Sequence, residues 1–360
     1  DVTDRARVDA VVADVLARLP GVTAQRDAAT GRAKNVSVRG MSPDFNGATL
    51  NGRGQASTGD SRGVEFDQFP AELLGSIVIH KTPNASLVDQ GLASTIDMKT
   101  VRPLDFKKRT FSANVRSQRS GIDSGAGEGK GDRQSFSYVD QFADRTLGIA
   151  LGYTKLKDEG AEQLKFNTWG GWNRDIKYNG QDVKIPGGFT ADTEQSTSNR
   201  EGLMAVVQYK PNKDFETVLD VFSSKGTFAL KKTGLEGAFL ENASYDPAGK
   251  LLPGAVVNSA GFVTSGTMDG YKGVVRNHLE SGDDKLDSFG WNTKFKAGDW
   301  KANADISQSK VSRVSSRYET TAGLPGDGNT TGKTDTTGWQ VIQIAVGKRS
   351  TDNPLFNLRF

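Results

Sequence analysis

From the Arg102-Pro103 pair onward, apolar and polar residues alternate with a period of two. The clearest run places Leu147, Ile149, Leu151 and Tyr153 between Gly148, Ala150, Gly152 and Thr154. Successive side chains of a β-strand point to opposite faces, so such a segment has one apolar face and one polar face. A strand that meets lipid on one side and a polar lumen on the other has this pattern.

The connections between these segments are alternately very short and very long. We predict about eight strands, at 111–116, 135–142, 147–154, 203–209, 215–221, 289–296, 300–307 and 339–346. Short links lie at 143–146, 211–214 and 297–299, and long polar segments lie near 120–132, 158–200, 225–285 and 318–337. A soluble β-sandwich also has alternating strands, but connections beyond about 12–15 residues are uncommon in compact domains. The pattern therefore favours a transmembrane barrel, with short turns on one side of the membrane and long loops on the other.

Composition excludes several classes of function. The chain has no cysteine and only two histidines among its 360 residues, so we expect no disulfide, no metal site and no cofactor. The histidines, His80 and His278, are far apart, and we find no set of nucleophile, base and orienting group, so we expect no catalytic residue and no enzyme. The net charge of +3 comes from interleaved signs, which predicts no nucleic-acid partner. Mean hydropathy is −0.51, and no apolar window is long enough for a helical membrane span.

The first hundred residues follow different rules from the rest of the chain. An apolar stripe predicts a helix at 8–19 that ends at Pro20-Gly21. Short strands are expected at 35–39, 47–50, 77–81 and 94–100, and a short helix is expected to begin at Phe69. Glycines stand at the joints between these elements, where a positive φ or a close backbone approach is needed. This region is therefore predicted to be a small α/β domain.

A series of short tracts in this domain resembles the plug domain of TonB-dependent outer-membrane receptors. The tracts are LARLPGV at 16–22, VSVRGM at 36–41, TLNG at 49–52, FPAELL at 69–74, IVIHKTP at 77–83 and STIDMKT at 94–100. No single tract is specific, but together they stand in the order of the family. The segments 42–45 and 81–83 are most similar to the branch linked to oligosaccharide uptake.

The resemblance implies a mixed fold and a transport function. Residues 1–103 would form the plug, and residues 104–360 would form the N-terminal portion of an antiparallel barrel of about 22 strands. The barrel cannot close with these strands alone, and no clear terminal strand precedes Phe360. We therefore expect an N-terminal piece of a receptor in the bacterial outer membrane, in contact with its lipid. The implied partner is the TonB complex of the inner membrane, although no TonB-contacting box precedes Asp1.

Two segments of the plug and one loop are the candidate ligand site. The plug segments 39–46 and 53–62 are Gly-rich and polar, as expected of loops that face an incoming ligand. The candidate ligand-binding residues are Arg39, Asp44, Phe45, Asn46, Arg53, Asp60 and Arg62 in the plug, with Trp169 and Trp172 in a long loop. The plainer alternatives are that Asp44-Phe45 packs a turn and that the two tryptophans anchor their loop to the barrel rim.

Three arginines are the candidate contacts between plug and barrel wall. Arg39, Arg53 and Arg102 could meet carboxylates of the wall, most of them expected on strands outside this chain, or could be ordinary solvated arginines. For the ligand, the sequence favours an oligosaccharide, with a ferric siderophore as the alternative. A passive porin or adhesin barrel is a second alternative. Residue types alone do not separate these three functions.

Overall fold

The inner face of the long sheet is in contact with the small N-terminal domain in a computed structural model of the chain. The structure describes residues 16–26, 33–59, 63–119, 129–169, 174–185, 187–238, 250–269, 272–323, 340–343 and 347–359. The predicted helix at 8–19 falls mostly outside these residues, and only its last turn is seen, where the Leu19 amide donates to the Leu16 carbonyl over 3.0 Å. None of the described helices is long and apolar enough to cross a membrane.

The N-terminal domain, called the plug below, is built from two small sheets. Strands β1 (Val22–Arg26) and β2 (Ala33–Val38) pair antiparallel. Strands β3 (Asn46–Leu50), β4 (Arg53–Gly54), β5 (Leu74–His80) and β6 (Ser94–Thr100) form a sheet of order β4-β3-β6-β5. The short helix expected to begin at Phe69 is a single 3-10 turn at Ala71–Leu73. A strand follows that turn at once, which leaves no length for an α-helix.

The remaining elements form one antiparallel sheet with small hairpins along it. The long strands, called the wall below, are β7 (Thr110–Arg119), β8 (Lys130–Phe142), β9 (Leu147–Glu159), β10 (Gln163–Trp169), β13 (Gly188–Tyr209), β14 (Phe215–Ala238), β19 (Lys272–Ala297), β20 (Trp300–Gly323), β21 (Gln340–Gln343) and β22 (Gly347–Arg359). The hairpin strands are β11 (Arg174–Tyr178), β12 (Gln181–Ile185), β15 (Lys250–Leu251), β16 (Val256–Val257), β17 (Val263–Ser265) and β18 (Met268–Asp269).

The wall is an open meander. Its order is β21-β20-β19-β14-β13-β9-β8-β7, with β10 also on β13 and β22 also on β20. Strands β9 and β10 pair with different parts of β13, and strands β21 and β22 pair with different parts of β20. When each of these two pairs is counted as one position, the sheet has about eight positions, as predicted. In the part of the chain that the structure describes, β7 pairs with β8 and β22 pairs with β20, so the barrel is not closed. The short turns at 143–146, 210–214 and 298–299 share one end, called the turn end, and the opposite end is called the loop end.

The alternation of faces is confirmed on the central strands. Leu151 is 45% exposed on the outer face, whereas Ala150 is fully buried on the inner face. Phe289 and Trp291 are likewise 42% and 46% exposed. Since these apolar side chains have no protein cover in the described sheet, the outer face is suited to lipid and the inner face to the plug.

Two predictions about the strands were wrong. The strands are much longer than expected, with 24 residues in β14 and 26 in β19, so much of the expected loop at 225–285 is strand. At about 3.3 Å per residue such strands extend far beyond a membrane that a strand of about 9–11 residues can cross. Beyond the lipid neither face must be apolar, which explains why the alternation fades there. The expected lack of a terminal strand is also wrong, because β22 pairs with β20 without an alternating sequence.

The core is shared between the plug and the wall. Phe66, Phe69 and Leu73 of the plug are almost completely buried, and so are Phe222 and Leu286 of the wall. The rings of Phe69 and Phe222 stack with their centroids 5.4 Å apart. The wall therefore supplies part of the apolar surface that closes the plug.

The linker between plug and wall is bound to the turn end. After β6 the chain makes a 3-10 turn at Pro103–Asp105. The Arg145 guanidinium donates to the carbonyls of Leu104 and Phe106 over 3.0 and 2.9 Å. The Gln141 amide donates to the Pro103 carbonyl over 2.7 Å. These bonds hold the start of the wall in place relative to the plug.

The outer face provides a direct test of the membrane assignment. Leu151→Arg places a charge among the lipid-facing residues and should cost about 2–4 kcal/mol of stability if the site lies near the midplane. The same change at Leu235 is the matched control, because Leu235 is also an outward residue, 37% exposed, but lies far toward the loop end of β14. The free energy of unfolding in detergent or lipid is the measurement. Equal cost at the two positions would contradict the assignment of this face to lipid.

Candidate functional site

A single buried arginine of the plug binds two carboxylates of the wall. Arg53 begins β4, and its side chain is only 4% exposed. Its Nη1 donates to Asp220 Oδ1 and Oδ2 over 2.8 and 2.7 Å. Its Nε and Nη2 donate to Asp305 Oδ1 and Oδ2 over 2.8 and 2.9 Å. We call Arg53, Asp220 and Asp305 the clamp.

Neutral donors complete the clamp. One guanidinium faces two carboxylates, so the group as a whole carries an excess negative charge that needs further donors. Asn51 of the plug donates to Asp220 Oδ1 over 3.0 Å, and Asn292 of the wall donates to Asp305 Oδ2 over 2.9 Å. Burial lowers the pKa of the Arg53 guanidinium, but the hydrogen bonds to Asp305 and the charge of Asp220 outweigh burial and raise the pKa overall. The guanidinium therefore stays charged.

A glycine on the intervening strand makes room for the guanidinium. Asp220 on β14 and Asp305 on β20 belong to strands that both pair with β19. Gly290 of β19 lies directly opposite Asp220, and a Cβ at this position would be 1.7 Å from Arg53 Nη1. The wall thus has a slot in which the arginine side chain lies against bare backbone.

Further contacts rise from the clamp toward the loop end. Ser288 Oγ donates to Gln55 Oε1 over 2.6 Å, and the Ala56 amide donates to Ser309 Oγ over 3.2 Å. Arg313, farther along β20, donates to the Thr58 carbonyl over 3.0 Å. The chain from Arg53 to Thr58 therefore climbs along the inner face of the wall.

The two other arginines differ from Arg53. Arg39 is exposed in a turn with φ 56°, where its backbone amide donates to the Gly21 carbonyl. In the described part of the chain, its side chain forms no ion pair with a wall carboxylate. Arg102 lines a cavity beside Lys294 of the wall, and no described group bonds its buried Nη1. Neither residue forms the expected ion pair with a carboxylate of the described wall.

The two predicted ligand segments of the plug lie side by side. The Gly63 amide donates to Asp44 Oδ1 over 3.1 Å, which ties the segment 39–46 to the end of the segment 53–62. Asn46 and Asn51 flank β3, and Asn51 is at the level of the clamp. Because β3 runs toward the turn end, the segment 39–46 lies toward the loop end. Phe45 is 40% exposed there.

Two expected ligand-binding side chains are occupied inside the protein. Asn46 is buried, its Nδ2 donating to the Val36 carbonyl and its Oδ1 accepting from Ser94 Oγ, both over 2.8 Å. Arg53 is enclosed in the clamp, so its donors do not face a ligand. In the described structure a strand terminus and a wall contact use the same polar groups that a ligand would, and the two assignments stay predictions. Asp60, Arg62 and Trp172 lie outside the described residues, and for Trp169 only its backbone place in β10 is described.

The wall carboxylates of the clamp are the functional residues that the sequence analysis missed. Asp220 and Asp305 belong to this chain, whereas the acidic partners were expected mostly outside it. A usable signal was present, since each aspartate stands at an inward position of an alternating strand, where a charge needs a partner. The requirement for Gly290 leaves no such signal, because it depends on register between strands.

Comparisons with known proteins agree with the plug assignment. Residues 3–95 match the sequence family described as TonB-dependent Receptor Plug Domain. This is a receptor domain and not an enzyme domain, as the sequence analysis expected. No curated protein sequence matches the chain.

Several solved structures of outer-membrane receptors are similar in part. The ferric-catecholate import receptor Fiu from Escherichia coli K12 shares 13% identity, with a TM-score of 0.42, over 96% of this chain and 60% of its own. A mutant of the ferric enterobactin receptor PfeA from Pseudomonas aeruginosa shares 11% identity, with a TM-score of 0.37, over 88% and 56%. The siderophore receptor PirA from Acinetobacter baumannii shares 11%, with a TM-score of 0.36, over 98% and 56%. The chain thus spans little more than half the length of these proteins.

The clamp predicts a large effect of losing its cation. Arg53→Ala leaves two buried carboxylates without a counter-charge, which should cost about 3–5 kcal/mol of plug docking. The measurement is the urea midpoint of plug release, followed by protease cleavage within the plug. Lys177→Ala is the control, because its ion pair with Asp182 is 71% and 65% exposed and contributes little. An unchanged midpoint for Arg53→Ala would remove the clamp from plug docking.

The slot makes a second, independent prediction. Gly290→Ala should displace the guanidinium and lower the same midpoint, since the new Cβ would be 1.7 Å from Arg53 Nη1. Gly131→Ala is the matched strand control, because its nearest neighbour is the movable Asp158 carboxylate at 3.1 Å. The effects of Gly290→Ala and Arg53→Ala should be strongly non-additive, as both disrupt one interaction. Simple additivity would mean that Gly290 acts elsewhere.

Proposed function

We propose that this chain is the plug and part of the wall of a TonB-dependent importer in the bacterial outer membrane. The buried clamp is the observation that supports this proposal best, because it seats the plug against the polar inner face of the wall. Polar contacts of this kind can be exchanged for water when the plug moves, whereas the apolar contact between Phe69 and Phe222 would become exposed. The TonB complex of the inner membrane would supply the pull that separates plug and wall.

The substrate proposal rests on which side chains stay exposed on the plug. An oligosaccharide was expected to use acceptors such as Asp44 and Asn46, but Asn46 is bonded internally and Asp44 accepts from Gly63. Arg39, Asp44 and Phe45 are the exposed candidates in the segment 39–46, and Asp44 Oδ1 already accepts from Gly63. A cation and an aromatic ring on one exposed segment suit an anionic iron complex better than a neutral sugar. We therefore favour a ferric siderophore, with an oligosaccharide as the second candidate through the tryptophan loop.

Growth of a deletion strain tests this function. Loss of a siderophore importer should abolish growth on the cognate ferric siderophore under iron starvation and leave growth on glycans unchanged. The opposite result would restore the oligosaccharide assignment. The purified protein in liposomes should not admit sugars, because the plug closes the lumen. Liposome swelling would instead indicate the passive porin or adhesin alternative.

Binding measurements on two variants test the substrate class. Arg39→Gln combined with Phe45→Ala should weaken binding of the ferric complex by about 1–2 kcal/mol, on the order of one charge-assisted hydrogen bond. Lys107→Gln is the charge-matched control at the turn end, where it is exposed and remote from these residues. Heat modifiability on a gel should be the same for all variants. Wild-type affinity in the double variant would exclude Arg39 and Phe45 from the site.

A further inference from the structure

A cluster of unpaired lysines surrounds the turn end of the lumen. A cavity of about 290 Å³ is lined by Lys210, Lys213, Lys294, Lys296 and Lys301. In the part of the chain that the structure describes, none of these ammonium groups has a carboxylate within 4.0 Å. Two acids, Asp214 and Glu216, share the lining. Glu216 lies directly opposite Lys294, and its carboxylate accepts from Gln208 Nε2 over 2.6 Å.

The register of the wall brings like charges together. Lys296 of β19 lies directly opposite Lys301 of β20. Like charges at directly opposite positions of an antiparallel pair destabilise it. A bound anion would remove this repulsion, and the exposed lysines are placed to receive one.

A second cavity extends the basic surface under the plug. Its volume is about 590 Å³, and Lys294 lines both cavities. Arg102 lines the second cavity with a buried Nη1 that no described group bonds. Lys99 also lines it, with its Nζ 3.8 Å from Asp97, and the acids of this cavity are Asp97 and Asp105. Cations outnumber acids in the lining of the two cavities taken together.

The cluster faces the lumen and not the lipid. Lys294 and Lys296 alternate with the outward Phe295, and they share the inward face with Gly290 of the clamp slot. Lys301 shares its face with the inward Asp305. A phospholipid headgroup would instead meet side chains on the outer face. A substrate arriving from the loop end would be separated from the cluster by the plug.

We propose that these two cavities form a docking site for an acidic peptide segment of a periplasmic partner. The orientation rests on the proposed function, in which the turn end faces the periplasm. An extended segment with several carboxylates would match cations spread over two adjoining cavities, where a single small anion would reach only one. The segment would also bridge Lys294 and Arg102, so that its binding contacts wall and plug together.

The test measures binding of a labelled hexaglutamate peptide to the detergent-purified protein by fluorescence anisotropy, with hexaglutamine as the neutral probe. The triple variant Lys294→Gln, Lys296→Gln, Lys301→Gln should weaken binding on the order of tenfold. The control variant Lys155→Gln, Lys225→Gln, Lys231→Gln removes the same charge from outward positions toward the loop end and should bind as the wild type does. Raising the salt concentration should weaken the wild type and remove most of the difference.

Three outcomes would overturn the proposal. The first is equal binding by the two triple variants, which would mean that only net charge matters. The second is preference of the lysine cluster for short-chain phosphatidylglycerol over the peptide, which would assign it to lipid. The third is full competition by inorganic phosphate at similar concentration, which would indicate a small-anion site. The binding experiment does not depend on transport, so its failure leaves the growth experiment unaffected. Failure of the growth experiment alone would change the assigned substrate and would leave the result of the binding experiment standing.

Discussion

The position of the plug depends on one buried cation held between two strands that do not touch each other. Asp220 and Asp305 come from β14 and β20, which are separated by β19. Desolvating three charges is costly, and the cost is offset only when the hydrogen bonds are well formed. Arg53 meets this condition because its planar Nε and Nη2 fork matches the two oxygens of Asp305, while Nη1 donates to both oxygens of Asp220.

The geometric demand of the clamp also makes it specific. Shifting β4 by one residue would turn Arg53 away from the wall and leave both carboxylates buried without a partner. An apolar contact such as that between Phe69 and Phe222 tolerates small displacements, whereas a bidentate ion pair does not. The stacked rings therefore contribute burial, and the clamp determines the register of the plug against the wall.

Plug and wall are joined by two kinds of contact at different places. The linker is held by hydrogen bonds from the side chains of Gln141 and Arg145 to backbone carbonyls close to the turn end. The clamp is formed by side chains alone and needs both partners in place. A pull on the N-terminal part of the plug would meet the clamp before the linker, because Arg53 precedes the linker in the chain. In such a pull the linker bonds would hold the start of β7 in place.

The sequence allowed the local features to be predicted but not those that depend on register. Alternation at Leu151 and the tight turn at 143–146 follow from local residue types, and both are found. The lengths of β14 and β19 could not be predicted, because a strand beyond the lipid has no apolar face to reveal it. Arg53 was expected to contact the wall on its residue type alone, since arginine suits a paired carboxylate. Its partners and the slot at Gly290 depend on how distant strands align, which no local pattern contains.

The same limit applies to charge. A net charge of +3 suggested an unremarkable surface, but the charges are distributed unequally along the wall. Toward the loop end the inward ions are paired: Arg200 with Asp284, Lys232 with Asp192 and Lys165 with Glu194, each at 2.8 Å.

At the turn end the lysines around Lys294 have no such partners in the described structure. At the loop end the three inward pairs named above neutralise their own charges. The lysines at the turn end create a positive potential on that side of the plug, and this potential attracts anions that approach from the turn end. The wall thus carries paired inward charges toward the loop end and a cluster of lysines at the turn end, although its overall composition is balanced.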